Sequence, residues 1–241
     1  MSNLLLAQRV TEKCSISQRS IEALICAVKV LPRRAMANIF TKKVLNRFAR
    51  QVPELKGALA ESEMKLVPTF TPPFEMLVRS IVYQQLAYKA AKTIHDRMLA
   101  LVGKLTPAAM LAKSQEELKT AGLSRQKASY LHNVANAFKR EGSLWKYRTI
   151  ESLEGLSSEE ITALFTSIKG VGEWTVQMYL IFSLGRLDVL SPGDLGVRKG
   201  VQKMYALEEM PTSKEVKIIA EKWHPLETIG TYLAWRVLEN E

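Results

Sequence analysis

Helix start signals dominate this chain. Between them, apolar residues recur at helical spacing, as at Val176, Leu180 and Leu184, and no period-two strand pattern follows residue 70. Thr106 followed by Pro107 is an N-cap with proline at the first helical position. In a capping box, a hydroxyl and a carboxylate three residues later each bond to an exposed backbone N–H group. Three pairs match this motif: Ser114 with Glu117, Ser157 with Glu160, and Thr212 with Glu215. The sequence therefore predicts an all-α fold with short loops.

Two glycines, Gly170 and Gly172, interrupt an apolar helical pattern that runs from Phe165 to Phe182. We expect a helix over 160–167, a tight turn, and a second helix over 173–184. Glycine permits positive φ and close approach of another backbone, and the start of the second helix presents N–H groups and a positive dipole end to an anion. Gly-x-Gly alone favours an ordinary helix–helix turn; the full string is typical of a sequence-independent grip on a phosphate backbone.

An acid follows this hairpin in the segment Ser191-Pro-Gly-Asp194, directly before another helical pattern. Taken alone, Asp194 is a good N-cap, because its carboxylate can accept a hydrogen bond from a first-turn N–H group. Paired with the hairpin, it becomes a candidate catalytic carboxylate.

The charge of the chain is positive but unevenly placed. The net charge is +10 with a sequence pI near 9.6, which favours a polyanion such as nucleic acid as partner. Residues 1–50 contain ten basic and two acidic residues, so the rest of the chain is almost neutral. Any phosphate contact in the main body must therefore be local. No stretch approaches the roughly 18 apolar residues of a membrane span, and we expect no membrane partner.

Cysteine usage excludes several kinds of site. Cys14 and Cys26 are the only cysteines, too few for an iron–sulfur cluster or a Cys₄ zinc site. A disulfide framework is equally unexpected, which fits a reducing compartment.

The N-terminal residues 1–41 differ from the rest, because they are basic, poor in acids and contain serine. Two interpretations stay open: an organellar transit peptide, or a helical extension packed on the domain. The proline-rich stretch from Val67 to Pro73 separates an N-terminal helical part from a core that begins near Phe74. We place the main domain at residues 42–241.

The hairpin string together with Pro192-Gly193-Asp194 resembles the helix-hairpin-helix (HhH-GPD) signature of the base-excision DNA glycosylases. The resemblance covers about residues 45–238. It implies two packed helical subdomains with an active-site cleft between them, and a catalytic role for Asp194. Cleavage of an N-glycosidic bond builds positive charge on the deoxyribose, which a fixed carboxylate stabilises while it orients the attacking water.

The same resemblance assigns roles to the backbone of the hairpin. Contact with double-stranded, damaged DNA is implied for Gly170, Val171, Gly172 and Thr175. The carbonyl groups of Ile168 and Val171 are implied to hold a monovalent cation, Na⁺ or K⁺. No redox or organic cofactor is implied.

The branch of the family is indicated by the residue two positions after the second glycine. Bifunctional members carry there a lysine that attacks as an amine nucleophile, whereas this chain has Trp174. The string Gly-Val-Gly-Glu-Trp-Thr looks like the AlkA-type 3-methyladenine DNA glycosylases, in which this tryptophan lines the base pocket. N-alkylated purines are cationic and are attracted to aromatic faces. A core position is the alternative for Trp174.

Further segments are similar to the same family. In the Gln84-Gln85-Leu86 segment, Leu86 matches the wedge that fills the gap left by a flipped nucleotide, with a core position as the alternative. Gln85 is a candidate DNA contact, although both glutamines are equally suited to capping backbone groups. Ser124 should cap the next helix. Arg125 and Lys127 either contact phosphates or lie on a solvated face.

Two positions depart from the family. Glu227 stands where relatives usually have arginine, so we expect an ion pair of the family to be missing here. Met178, a candidate base-pocket residue beside Trp174, occupies a position that is aromatic in some relatives.

We therefore predict a monomeric, monofunctional DNA glycosylase that excises alkylated bases of the 3-methyladenine type and initiates base-excision repair. It would act in the nucleus or elsewhere on DNA inside the cell, with organellar targeting as an option. The alternatives are a damage-binding module without turnover, a helical protein-interaction scaffold, and a glycosylase for uracil or oxidised purines.

Overall fold

The computed structural model describes residues 37–239, and within this range the chain forms helices and no strand. The α-helices are α1 (Lys42–Gln51), α2 (Lys56–Glu61), α3 (Pro73–Tyr83), α4 (Tyr88–Val102), α5 (Pro107–Leu111), α6 (Gln115–Thr120), α7 (Arg125–Phe138), α8 (Ser158–Thr166), α9 (Glu173–Met178), α10 (Leu195–Met204), α11 (Ser213–Ala220) and α12 (Glu227–Arg236). Short 3₁₀ turns lie at Pro53–Leu55, Trp145–Tyr147, Glu151–Leu153 and Glu221–Trp223. The predicted all-α class is confirmed.

Helices begin in the structure at the positions that the capping signals in the sequence predicted. All three capping boxes form with both reciprocal hydrogen bonds, at the starts of α6, α8 and α11. The Thr106 and Ser124 hydroxyls cap α5 and α7 by accepting from the N–H groups of Ala109 and Lys127. These signals work because a cap satisfies backbone groups within three residues of itself.

The chain divides into two compact helical units. Within the described residues, the first unit comprises 37–67 and 186–239, and the second comprises 68–185. The boundary between the units falls at the proline-rich stretch, but residues 37–67 join the C-terminal helices instead of forming a part of their own. The active-site cleft between subdomains stays a prediction.

The first unit is built around α10 and α12. A Cβ on Gly200 would lie 1.9 Å from the carbonyl oxygen of Ala234, so only glycine lets the two helices approach this closely. Phe48 in α1 and Leu55, directly before α2, are buried and fix these two helices in the first unit. Residues just before the predicted boundary at 42 already belong to this unit, since Phe40 is 2% exposed and its ring packs on Tyr232 with centroids 5.0 Å apart.

The second unit has α3 at its centre. Helix α3 packs against α4, α7 and the end of the hairpin's second helix, and its Leu77, Val78, Ile81 and Val82 are fully buried. A row of aromatic rings crosses this core with centroid separations of 5.7–6.2 Å, spacings typical of favourable ring pairs. The row is Phe74, Phe138, Phe165 and Tyr179.

Two further predictions concern the N-terminal extension and membrane spans. Residues 1–36 of the predicted extension, including both cysteines, lie outside the described residues. Among residues 37–239, no helix has the length and apolar character needed to cross a membrane.

Candidate DNA-binding and catalytic site

The hairpin between α8 and α9 forms as a tight turn. Gly170 adopts φ +106°, and a Cβ there would lie 2.3 Å from the ring of Tyr130 on α7, so this glycine is required by both conformation and space. The Val171 N–H group donates to the Ile168 carbonyl at 3.0 Å, and the Asn133 side chain donates to the Lys169 carbonyl at 3.0 Å. The hairpin is thus fixed to α7.

Gly172 differs from Gly170 in its surroundings. It is the N-cap of α9, and a Cβ there would meet no atom within 4 Å. The open space lies beside the N–H groups that begin α9, where the helix dipole favours an anion. Gly170 shapes the turn, whereas Gly172 leaves room for a ligand.

The remaining hairpin residues anchor it. The side chains of Ile168 and Val171 are 6% and 5% exposed, so any contact they make with DNA or a cation goes through their backbones. The Ile168 carbonyl already accepts one hydrogen bond but has a second lone pair. Carbonyl oxygens are the hard ligands that suit such a cation, and the two residues therefore fit the predicted Na⁺ or K⁺. Residues 37–239 contain no cluster of three His, Cys, Asp or Glu side chains that would hold another metal.

The second hairpin helix is not the uniform α-helix expected over 173–184. It is α-helical from Glu173 to Met178 and widens to π geometry over Tyr179–Leu184, ending at Gly185 in the left-handed region. Such widened turns occur often at functional sites.

Of the side chains predicted to act from this helix, two are buried. Thr175 is 2% exposed and its hydroxyl accepts a hydrogen bond from Gln84, so its side chain is not available to DNA, and a contact through its backbone stays a prediction. Met178 is 1% exposed and offers no surface to a base. Trp174 is partly exposed, so of the two predicted pocket residues it alone is accessible to solvent.

The Gln-Gln segment forms the turn between α3 and α4. Gln84 bonds to Thr175 Oγ1 at 3.3 Å and so ties this turn to the hairpin helix, which settles its role as internal. Gln85 is exposed with φ +56°, and Leu86 is half-exposed. Leu86 is therefore not a fully buried core residue, and its role as a wedge stays a prediction, as does the contact of Gln85 with DNA.

Lys127 has a role that the sequence did not reveal. Its ammonium donates 2.7 Å hydrogen bonds to the carbonyls of Val82 and Gln84, which end α3 and begin the turn. Burial lowers the pKa of Lys127 to about 8. The side chain holds the turn in place instead of lying on a solvated face, and its contact with phosphate stays a prediction, as does that of exposed Arg125.

Asp194 is held at the start of α10. The turn that carries it closes with a hydrogen bond from the Asp194 N–H group to the Ser191 carbonyl at 3.2 Å. Asp194 Oδ1 accepts from the Val197 N–H group at 2.9 Å, as the predicted N-cap requires, and also from Trp235 Nε1 at 3.0 Å. Two donors therefore orient one carboxylate oxygen.

Side chains of helix α12 fix the position of the turn that carries Asp194. The buried Thr231 hydroxyl donates to the Val189 carbonyl, and the buried Thr228 hydroxyl accepts from the Val189 N–H group, which fixes the chain leading into the turn. Gly196 lets the Trp235 indole reach the carboxylate, because a Cβ there would lie 3.0 Å from Trp235 Cδ1 and 3.1 Å from Asp194 Oδ1.

Comparison with known proteins places this site in a family. Residues 78–225 match the model of the HhH-GPD superfamily base excision DNA repair proteins. The chain belongs to the HhH-GPD superfamily. It is 34% identical to DNA-3-methyladenine glycosylase 1 of Schizosaccharomyces pombe over 72% of this chain and 79% of the relative. The resemblance stated from the sequence is confirmed.

Solved structures of relatives have the same fold. A DNA-3-methyladenine glycosidase from Bacillus halodurans is 33% identical with a TM-score of 0.72, covering 85% of this chain and 94% of that one. The 3-methyladenine DNA glycosylase of S. pombe in complex with abasic DNA is 27% identical with a TM-score of 0.64, covering 92% of this chain and 97% of that one.

Glu227, which departs from the arginine expected at this position, is in contact with His224. It lies in the first turn of α12, where the helix dipole favours an acid, and its Oε1 contacts His224 Nδ1 at 2.8 Å. This contact joins two residues that are three positions apart along the chain.

The sequence did not predict the roles of Trp235, which contacts Asp194, and of Lys127, which contacts the turn before Leu86. Their partners lie 41 and 45 positions away along the chain, so no local pattern indicates the contacts. One signal was present: Gly196 and Gly200, four residues apart, mark a helix face that another helix approaches closely.

Proposed function

We propose that this HhH-GPD protein is a monofunctional DNA glycosylase that excises alkylated bases of the 3-methyladenine type. The observation that carries the proposal is the Asp194 carboxylate, which the Val197 N–H and Trp235 Nε1–H groups hold at the start of α10. The similarity to DNA-3-methyladenine glycosylases of Schizosaccharomyces pombe and Saccharomyces cerevisiae supports the class of lesion.

The chemistry follows from that carboxylate. Departure of the base leaves an oxocarbenium-like deoxyribose, and a pre-oriented negative charge stabilises it without reorganisation. Alkylation weakens the glycosidic bond, so no second acid is needed to protonate the leaving base. Because Trp174 stands where bifunctional relatives have a lysine, the product is an intact abasic strand.

The second unit supplies the proposed DNA-binding elements. The open space at Gly172 and the N–H groups that begin α9 receive a phosphate. Leu86 fills the space of the flipped nucleotide, beside Gln85 on the same turn. Trp174 presents an aromatic face to a cationic base. A monovalent cation on the Ile168 and Val171 carbonyls would add positive charge next to that phosphate.

Its partner is damaged double-stranded DNA, which it binds as a monomer inside the cell. The compartment depends on residues 1–41, for which nuclear and organellar interpretations remain. Recovery of a mature protein cut between residues 35 and 45 would establish an organellar transit peptide, and an intact N-terminus would contradict it.

The test is base release from methylated duplex DNA by the wild type and by Asp194→Asn. Asparagine caps helices as well as aspartate does, so the variant removes the charge and keeps the fold. We expect free 3-methyladenine and uncleaved abasic strands from the wild type, and release at least about 100-fold slower from the variant.

Other results would redirect the assignment. Equal release by both proteins would mean that Asp194 is not the catalytic acid. A folded wild type that binds damaged DNA without releasing a base would favour the binding-only module or, if a panel of uracil and oxidised-purine duplexes is cleaved, a glycosylase for another lesion.

A further inference from the structure

A basic depression lies on the first unit, and no function has been assigned above to the residues that line it. It has a volume of about 410 Å³ and is lined by Lys43, Asn46, Ala49, Arg50 and Lys56. We infer that this depression, hereafter the α1–α2 depression, is a second contact for the phosphate backbone of DNA.

The arrangement follows from the helix period of α1. Lys43, Asn46 and Arg50 recur at three- and four-residue spacing, which places them along one face. Phe48 on the other side of the helix is fully buried and fixes that face outward. Four basic residues and no acidic residue lie in the ten residues of α1.

Lys56 reaches the same depression from the start of α2. The Pro53–Leu55 turn between the helices is held by Val52 and Leu55, which are 0% and 1% exposed. The cations thus come from two elements that the core fixes relative to one another.

No carboxylate among residues 37–239 neutralises this charge. The acid nearest in sequence, Glu54, is paired with Lys222, and the hydrogen bond from Lys222 is the main cause that lowers the pKa of Glu54. None of Lys43, Arg50 and Lys56 forms an ion pair with a described residue. Residues 1–36 contain six basic and two acidic residues, so their net charge has the same sign.

The lining identifies the chemistry of the ligand. A concave surface of one charge sign concentrates the potential, and arginine with lysine and an amide donor suits phosphate oxygens. The lining contains no aromatic residue, so no side chain there stacks on a base. The depression therefore fits a backbone contact that positions DNA without reading its sequence.

This inference rests on the proposed function, which brings DNA to the protein. It is tested with the full chain carrying Lys43→Gln, Arg50→Gln and Lys56→Gln together. The matched control, Lys65→Gln with Lys214→Gln and Lys217→Gln, removes the same charge from exposed positions of the same unit. Thermal melting confirms that both fold.

The measurement is the affinity for a short lesion-free duplex, by fluorescence anisotropy between about 50 and 200 mM salt. Each lost phosphate contact lowers the slope of log K against log salt by about 0.9. We expect the depression variant to lose about 2 to 3 from this slope and to bind about tenfold more weakly than the control at about 100 mM salt.

Two outcomes would overturn the inference. Equal weakening in both variants would mean that net charge alone matters. Unchanged DNA binding, with lost binding to phosphatidylserine vesicles, would assign the depression to a membrane surface. Base release by the wild type, measured in parallel, separates the two proposals. If the wild type releases the base but the depression variant binds DNA like the control, only this inference is wrong. If the depression variant binds DNA more weakly but the wild type releases no base, only the proposed activity is wrong.

Discussion

The indole Nε1–H group of Trp235 donates a hydrogen bond of 3.0 Å to Oδ1 of Asp194. The Val197 N–H group donates to the same oxygen, so the carboxylate is oriented from its own helix and from α12. Trp235 is thus a positioning residue for the proposed catalytic acid. A hydrogen bond to a charged acceptor is worth about 1.5–3 kcal/mol.

Replacing Trp235 by Phe should slow base release more than it weakens DNA binding. The ring stays but the donor is lost, and we expect single-turnover release about tenfold slower, with a Kd for DNA close to that of the wild type. Trp223→Phe is the matched control, because it removes the indole donor to Tyr205 in the same unit. A release rate equal to that of the control would contradict a positioning role.

The two hairpin glycines should respond differently to alanine. Gly172→Ala meets no atom within 4 Å, so the protein should fold normally yet bind DNA about tenfold more weakly, since the methyl group holds a phosphate away. Gly170→Ala is strained at φ +106° and meets Tyr130, and should cost about 2–4 kcal/mol of unfolding free energy. Thermal melts and anisotropy titrations measure both. Normal DNA binding by Gly172→Ala would argue against the hairpin as the phosphate contact.

The packing of α10 on α12 should depend on Gly200. Gly200→Ala would place a Cβ 1.9 Å from the Ala234 carbonyl oxygen, and we expect it to lower the unfolding free energy by about 2–4 kcal/mol. Gly57→Ala in α2 meets nothing within 4 Å and should instead raise stability by about 0.5–1 kcal/mol. Urea denaturation gives both values. Similar effects at the two positions would show that backbone entropy, not close approach, governs Gly200.

Acid should destabilise the fold through His95. Burial, reinforced by the charge of Arg79, lowers the pKa of His95 to about 4, whereas the pKa of a histidine in the unfolded chain is about 6.5. Between these values the unfolded chain binds a proton that the native state does not, so stability falls as the pH falls through this window. The contribution of this partly exposed side chain should be about 2 kcal/mol or less.

Urea denaturation over this pH range tests the effect. His95→Phe keeps a ring against Tyr83 and should flatten the profile between about pH 6.5 and 4. His224→Gln, which removes an exposed histidine, should retain the wild-type profile. An unchanged slope in His95→Phe would assign the acid sensitivity to other groups.

Much of the site could be predicted because its parts are local. The capping boxes, the N-cap hydrogen bond of Asp194 and the Ile168–Val171 turn each join groups three residues apart. The burial of the Met178 and Thr175 side chains was not predicted. Whether a helical position is exposed or buried depends on which other segments pack against it.

The sequence by itself determined the helices, their caps, the glycine hairpin and the place of Asp194 at a helix start, since these depend on hydrogen bonds between near neighbours along the chain. Only the tertiary structure decided that residues 37–67 join residues 186–239 in one unit, that Lys127 holds the turn before Leu86, and that Trp235 orients Asp194. Those contacts arise from side-chain packing between distant segments, which burial and close approach select and which no short-range pattern encodes.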